Sequence, residues 1–113
     1  MEKSSFDPEN LPACPVEVTL KLISNKWKVL ILRDLQTGTK RFNQLKKSVG
    51  GISQKVLTNQ LREMEECGLV NRTVYAEVPP RVEYILTDLG ESLKPVLESM
   101  NNWGLNYKKR VEK

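Results

Sequence analysis

Apolar positions along the chain change their period twice. From Pro15 to Ser24, Val16, Leu20 and Ile23 recur at helical spacing, and Trp27, Leu30, Ile31 and Leu35 repeat it until Gly38. Phe42, Leu45 and Val49 predict a short third helix, closed by Gly50 and Gly51. Ser53 then stands where an N-cap belongs, ahead of QKVLTNQLREMEEC. In that run Leu57, Leu61 and Met64 share one face, while Lys55, Thr58, Asn59 and Arg62 share another that is wholly polar. Gly68 is placed to end the helix in a left-handed conformation, with Leu69 covering Met64. The period next falls to two. VNRTVY and RVEYIL alternate and are rich in β-branched and aromatic residues, so they predict an antiparallel hairpin around the loop AEVPP. Helical spacing returns after Thr87 and Asp88, which suit a cap and a first turn. Leu89, Leu93, Val96, Met100, Trp103 and Tyr107 follow one another at steps of four and three, with Pro95 set to kink or divide the run.

This pattern gives an α+β, mainly α, domain over residues 13–109, preceded by a polar, flexible arm over 1–12 that contains Pro8 and Pro12. The helix over about 53–67, the hairpin over about 69–86 and a C-terminal helix over about 88–109 are its main parts. A stripe carrying Met100, Trp103 and Tyr107 past Pro95 is long for one small core. Either its distal half packs on a second copy of the chain or it completes the core internally. No apolar run approaches the ~18 residues of a membrane span, and MEKSSFDPEN is too polar for a signal peptide, so a cytoplasmic protein is expected.

Charge sharpens the picture. The 113 residues carry 18 Lys and Arg against 14 Asp and Glu, a net +4. From Gln36 to Arg62, however, stand Lys40, Arg41, Lys46, Lys47, Lys55 and Arg62 with no acid among them. A basic block inside a structured region suits a phosphate-facing surface. The alternative is a solvated face balanced by acids that the fold brings near.

The chain has no histidine, which removes Cys–His and Ser–His couples and the imidazole base. Cys14 and Cys67 are the only cysteines and cannot complete a zinc site, so neither metal nor cofactor is expected. An enzyme is not expected either. Cys14 precedes Pro15, a residue favoured in the first helical position, and so falls at an N-cap. Free N–H groups and the dipole there favour a thiolate. Its role stays open between a reactive thiol and a small apolar residue at a helix start. Cys67, at the end of its helix, is expected to be partly buried and structural.

Two helices joined by the short GGIS turn, then a hairpin, make a winged helix-turn-helix. The second helix of such a pair enters a DNA major groove. Ser53, Gln54, Lys55, Thr58, Asn59 and Arg62 would line it, Lys40, Arg41, Lys46 and Lys47 would meet phosphates, and Arg81 would sit beside the wing tip. A winged helix used for protein contacts is the competing class, but the 40–62 surface offers it no apolar anchors.

The segments CPVEVTLKLISNKWKVLILRDL, RFNQLKKSVGGISQKVLTNQLREMEECGLVNR and VPPRVEYILTDLGESLKPVL, with the later Trp103-Gly104, closely resemble the HxlR-type family of bacterial winged-helix regulators. The likeness spans about residues 13–107. It implies a homodimeric, sequence-specific transcription factor on an inverted repeat of double-stranded DNA. It also implies a dimer interface built from the N- and C-terminal helices, here through Val16, Leu20, Met100, Trp103 and Tyr107. Many members of the family respond to oxidants or electrophiles through the cysteine of the first Cys-Pro pair, which corresponds to Cys14. Some oxidised members join that cysteine to a second one in the partner subunit; here only Cys67 is available.

Overall fold

The computed structural model describes residues 7, 9–23 and 25–112. Most of the arm expected over residues 1–12 therefore lies outside the described residues. Among the described residues nine elements follow in order: α1 (Pro15–Leu22), α2 (Lys26–Leu35), β1 (Lys40–Arg41), α3 (Phe42–Val49), α4 (Gln54–Glu66), β2 (Val70–Tyr75), β3 (Arg81–Leu86), α5 (Asp88–Glu91) and α6 (Lys94–Val111).

Local chemistry sets most of these boundaries. Asn25 caps α2 by accepting from the Lys28 N–H at 3.0 Å, and Ser53 caps α4 by accepting from the Val56 N–H at 3.1 Å. At the far end of α4, Gly68 has φ +82°. Its N–H bonds the Glu65 carbonyl at 3.1 Å and the Leu69 N–H bonds the Met64 carbonyl at 2.9 Å. That pair of bonds is a Schellman closure, and Leu69 and Met64 are both buried, as the apolar spacing predicts.

The hairpin pairs antiparallel as expected, from Val70 opposite Leu86 to Tyr75 opposite Arg81. A third strand was not foreseen. Lys40 and Arg41 pair antiparallel with Tyr84 and Glu83, giving a sheet of order β1-β3-β2. Two residues carry too little alternation to register as a strand, and only the neighbouring β3 edge defines them.

The span expected over 88–109, with Pro95 set to kink or divide it, is two helices. Thr87 Oγ1 accepts from the Gly90 N–H at 3.0 Å and starts α5, which ends at Glu91. Pro95 then falls in the first turn of α6, where its missing N–H leaves no bond unmade. Pro95 thus divides the run and does not kink it.

The core is a layer of Ile31, Leu32 and Leu35 from α2, Leu45 from α3, and Leu57, Leu61 and Met64 from α4, roofed by Tyr84 and Leu86. Gly90 meets the foot of the hairpin so closely that a Cβ there would lie 2.2 Å from the Leu69 carbonyl oxygen. α1 and α6 contribute no buried residue at all.

Candidate nucleic-acid interface

The turn between α3 and α4 depends on Gly50 and Gly51, whose φ angles of +74° and +69° suit a residue without Cβ. Ile52, next in the chain, is buried and fixes the turn to the core. With Leu57, Leu61 and Met64 held inside, the opposite face of α4 points outward. Gln54, Lys55, Asn59 and Arg62 are exposed on it and Thr58 is half-buried. Ser53 is exposed too, with its oxygen engaged by the Val56 N–H.

Lys46 and Lys47 are exposed in the last turn of α3, at the negative end of its dipole. Arg41 is exposed at the junction of β1 and α3, where its N–H donates to Gln44 Oε1 at 2.8 Å. Lys40 beside it is half-buried. The acid-free block could still have been neutralised by distant carboxylates. Among the described residues the ion pairs fall elsewhere: Lys28–Glu63, Arg33–Asp34, Arg72–Glu65, and Arg81 with Glu77 and Glu83. Lys40, Arg41, Lys46, Lys47, Lys55 and Arg62 take part in none of them.

Arg81 lies at the start of β3, beside the hairpin loop. It is 3.3 Å from both Glu77 and Glu83 and stacks 4.1 Å above the Tyr75 ring. Two carboxylates flank its charge. It shares with Arg41 a groove of about 740 Å³ between the start of α3 and the loop Glu77–Pro80.

A second arginine was missed. Arg72 lines a pocket of about 150 Å³ with Thr58, Arg62, Glu65 and Tyr84, and its Nε is 3.6 Å from Glu65 Oε1. Alternation in VNRTVY would have placed it on the same face as Val70, toward α4. Burial pushes the Tyr84 hydroxyl above its ordinary pKa.

Cys14 occupies the N-cap of α1 with Pro15 behind it, and its exposed thiol makes no capping bond. Cys67, the C-cap of α4, is half-buried against the core, and burial raises its thiol pKa above 9.0. Val16 and Leu20 on α1 are exposed, as are Met100, Trp103 and Tyr107 on α6, with Val16 at 67% and Trp103 at 70%. The Trp103 and Tyr107 rings stack on each other 5.5 Å apart. No helix of the described residues is long and apolar enough to cross a membrane.

A model of the HxlR-like helix-turn-helix family matches residues 22–112. The chain belongs to that family. Among its HxlR relatives, the uncharacterised HTH-type transcriptional regulator YdeP of Bacillus subtilis is 46% identical over 108 residues, covering 96% of this chain and 84% of YdeP. The solved structure of the redox regulator HypR in its reduced form superposes with a TM-score of 0.82 at 43% identity, covering 88% of this chain and 98% of that one. The oxidised form of HypR gives 0.77 at 46% identity, covering 82% and 96%. This HxlR-type chain is thus a winged-helix, DNA-binding transcriptional regulator.

Proposed function

We propose that this HxlR-type regulator binds an inverted repeat of double-stranded DNA as a homodimer and responds to oxidants or electrophiles through Cys14. The observation that carries the DNA reading is the set of six cations on β1, α3 and α4 with no ion-pair partner among the described residues. In this reading α4 lies in the major groove. Gln54, Thr58 and Asn59 present amides and a hydroxyl to base edges, and Lys55 and Arg62 meet guanine or phosphate. Lys40, Arg41, Lys46 and Lys47 meet phosphates, with Arg81 shaping the wing that follows the backbone. The dimer reading rests on α1 and α6, which hold no fully buried residue yet expose Val16, Leu20, Met100, Trp103 and Tyr107. The redox reading rests on an exposed Cys14 with no capping duty, and on the likeness to HypR, a redox regulator.

A gel-shift titration against salt tests the DNA reading. Arg62→Ala should weaken binding to the selected operator more than to random duplex. Lys46→Ala should weaken both alike and reduce the slope of log K on log salt by about 0.9 for each phosphate left unneutralised. Equal losses for both variants on both duplexes would refute this division. Mild oxidant should change operator binding by the wild type and leave Cys14→Ser unaffected; a wild type indifferent to oxidant would refute the sensor.

A further inference from the structure

Among the described residues Lys28 is the one charged side chain buried in the core, at 3% exposure. Its Nζ lies 2.8 Å from Glu63 Oε1 on α4. One helical turn earlier, Asn25 caps α2 with its Oδ1 and donates from Nδ2 to Gln60 Oε1 at 3.2 Å. Gln60 and Glu63 are three residues apart and so share one flank of α4, between its apolar face and its outward polar face. The first turn of α2 therefore grips the side of α4 at two polar points.

Packing against Leu57, Leu61 and Met64 holds α4 down, but burial is non-directional and tolerates some roll about the helix axis. A roll of about 10° carries a side-chain tip at a radius of roughly 5–6 Å through about 1 Å. A hydrogen bond does not survive that displacement, so the two polar links restrict a motion that the leucines permit. An ion pair with its lysine buried and its glutamate half-buried is a poor device for stability, since apolar replacements of similar volume commonly match such a pair or improve on it. Directional restraint is what it offers instead.

We infer that Asn25 and Lys28 are positioning residues that fix the roll of α4 through Gln60 and Glu63, and thereby set which base edges its outward face reaches. This rests on the reading of α4 as the DNA-recognition helix. The same turn of α2 begins four residues after α1 ends at Leu22.

Two variants of the full chain test the inference. Lys28→Met/Glu63→Met removes both charges together and leaves neither unpaired. Asn25→Ser keeps an N-cap oxygen for α2 but has no amide to offer Gln60. The duplex probe is the sequence that the wild type enriches from a randomised library, compared with unselected duplex of equal length. Both variants should keep a thermal midpoint within about 3 °C of the wild type and bind unselected duplex as before, while the preference for the enriched sequence falls about tenfold or more. Reselection with either variant should enrich a broader sequence set. An unchanged preference in Asn25→Ser, or in a folded double variant, would overturn the positioning role; if the double variant fails to fold, Asn25→Ser alone decides. A wild type that enriches no sequence would overturn the recognition-helix reading, and the positioning role with it.

Discussion

Replacing Gly90 by alanine should loosen the foot of the wing. The added Cβ would stand 2.2 Å from the Leu69 carbonyl oxygen and 3.1 Å from Leu86 Cδ2. A carbon normally approaches a carbonyl oxygen no nearer than about 3.3 Å, so the backbone has to retreat by about 1 Å. The Leu69 carbonyl also accepts from the Thr87 N–H at 3.0 Å, and that bond would be stretched or broken. Overpacking of this kind costs about 1–3 kcal/mol, and the hydrogen bond adds roughly 1 kcal/mol. Greater helix propensity for alanine returns about 0.5–1 kcal/mol. The net loss of about 1–3.5 kcal/mol corresponds to a fall in midpoint of roughly 4–15 °C for a chain of this size. Thermal unfolding followed by circular dichroism measures it, with Gly104→Ala as control. Nothing lies within 4 Å of a Cβ built at Gly104, so that variant should be neutral or slightly stabilised. A midpoint for Gly90→Ala within about 2 °C of the wild type would refute the close-approach reasoning.

Other outcomes follow from the same geometry. Ser53→Ala removes the acceptor for the Val56 N–H and should cost about 1 kcal/mol, with Ser53→Asp restoring it; equal midpoints for wild type and alanine variant would count against the cap. Trp103→Glu, on an exposed stripe, should turn a dimer into a monomer in sedimentation velocity at micromolar protein, and an unshifted boundary would reject that interface. Iodoacetamide should label exposed Cys14 well before half-buried Cys67, and equal rates by peptide mass spectrometry would contradict the burial. Because burial raises the folded Cys67 pKa, the unfolded thiol ionises first as pH rises. Its contribution to stability is complete below the ordinary value of 9.0 and is lost as pH climbs through the raised one, so Cys67→Ala should flatten the alkaline limb of a stability–pH curve.

Legibility in the sequence followed the range of the forces involved. α3, its glycine turn and α4 could be read because caps, the Schellman closure and a period of 3.6 are local signals. The outward set on α4 was legible for the same reason, since fixing Leu57, Leu61 and Met64 inside fixes Lys55, Asn59 and Arg62 outside. Features that depend on distant partners were not. β1 exists only against β3, and Lys28 looks like any surface lysine until Glu63 arrives from α4. The pairing of Arg81 with Glu77 and Glu83, four and two residues away, uses a separation that a strand face and a loop can close but that spacing alone does not announce. Arg72 lies beyond the acid-free block that ends at Arg62, so charge density along the chain did not mark it.

The two feet of the hairpin meet at a single knot. Thr87 donates from Oγ1 to the Gly68 carbonyl at 2.5 Å and from its N–H to the Leu69 carbonyl at 3.0 Å, so the exit of β3 is tied to the exit of α4. Everything from Val70 to Leu86 is thus a loop closed at its base. Lengthening a loop that is already closed adds only slowly to its entropic cost, about 0.6 kcal/mol for each doubling. Residues inserted near Ala76–Pro80 would leave the knot, the core and α4 where they are. Reach and charge at the wing tip can therefore drift independently of the rest of the molecule, giving one scaffold many possible addresses.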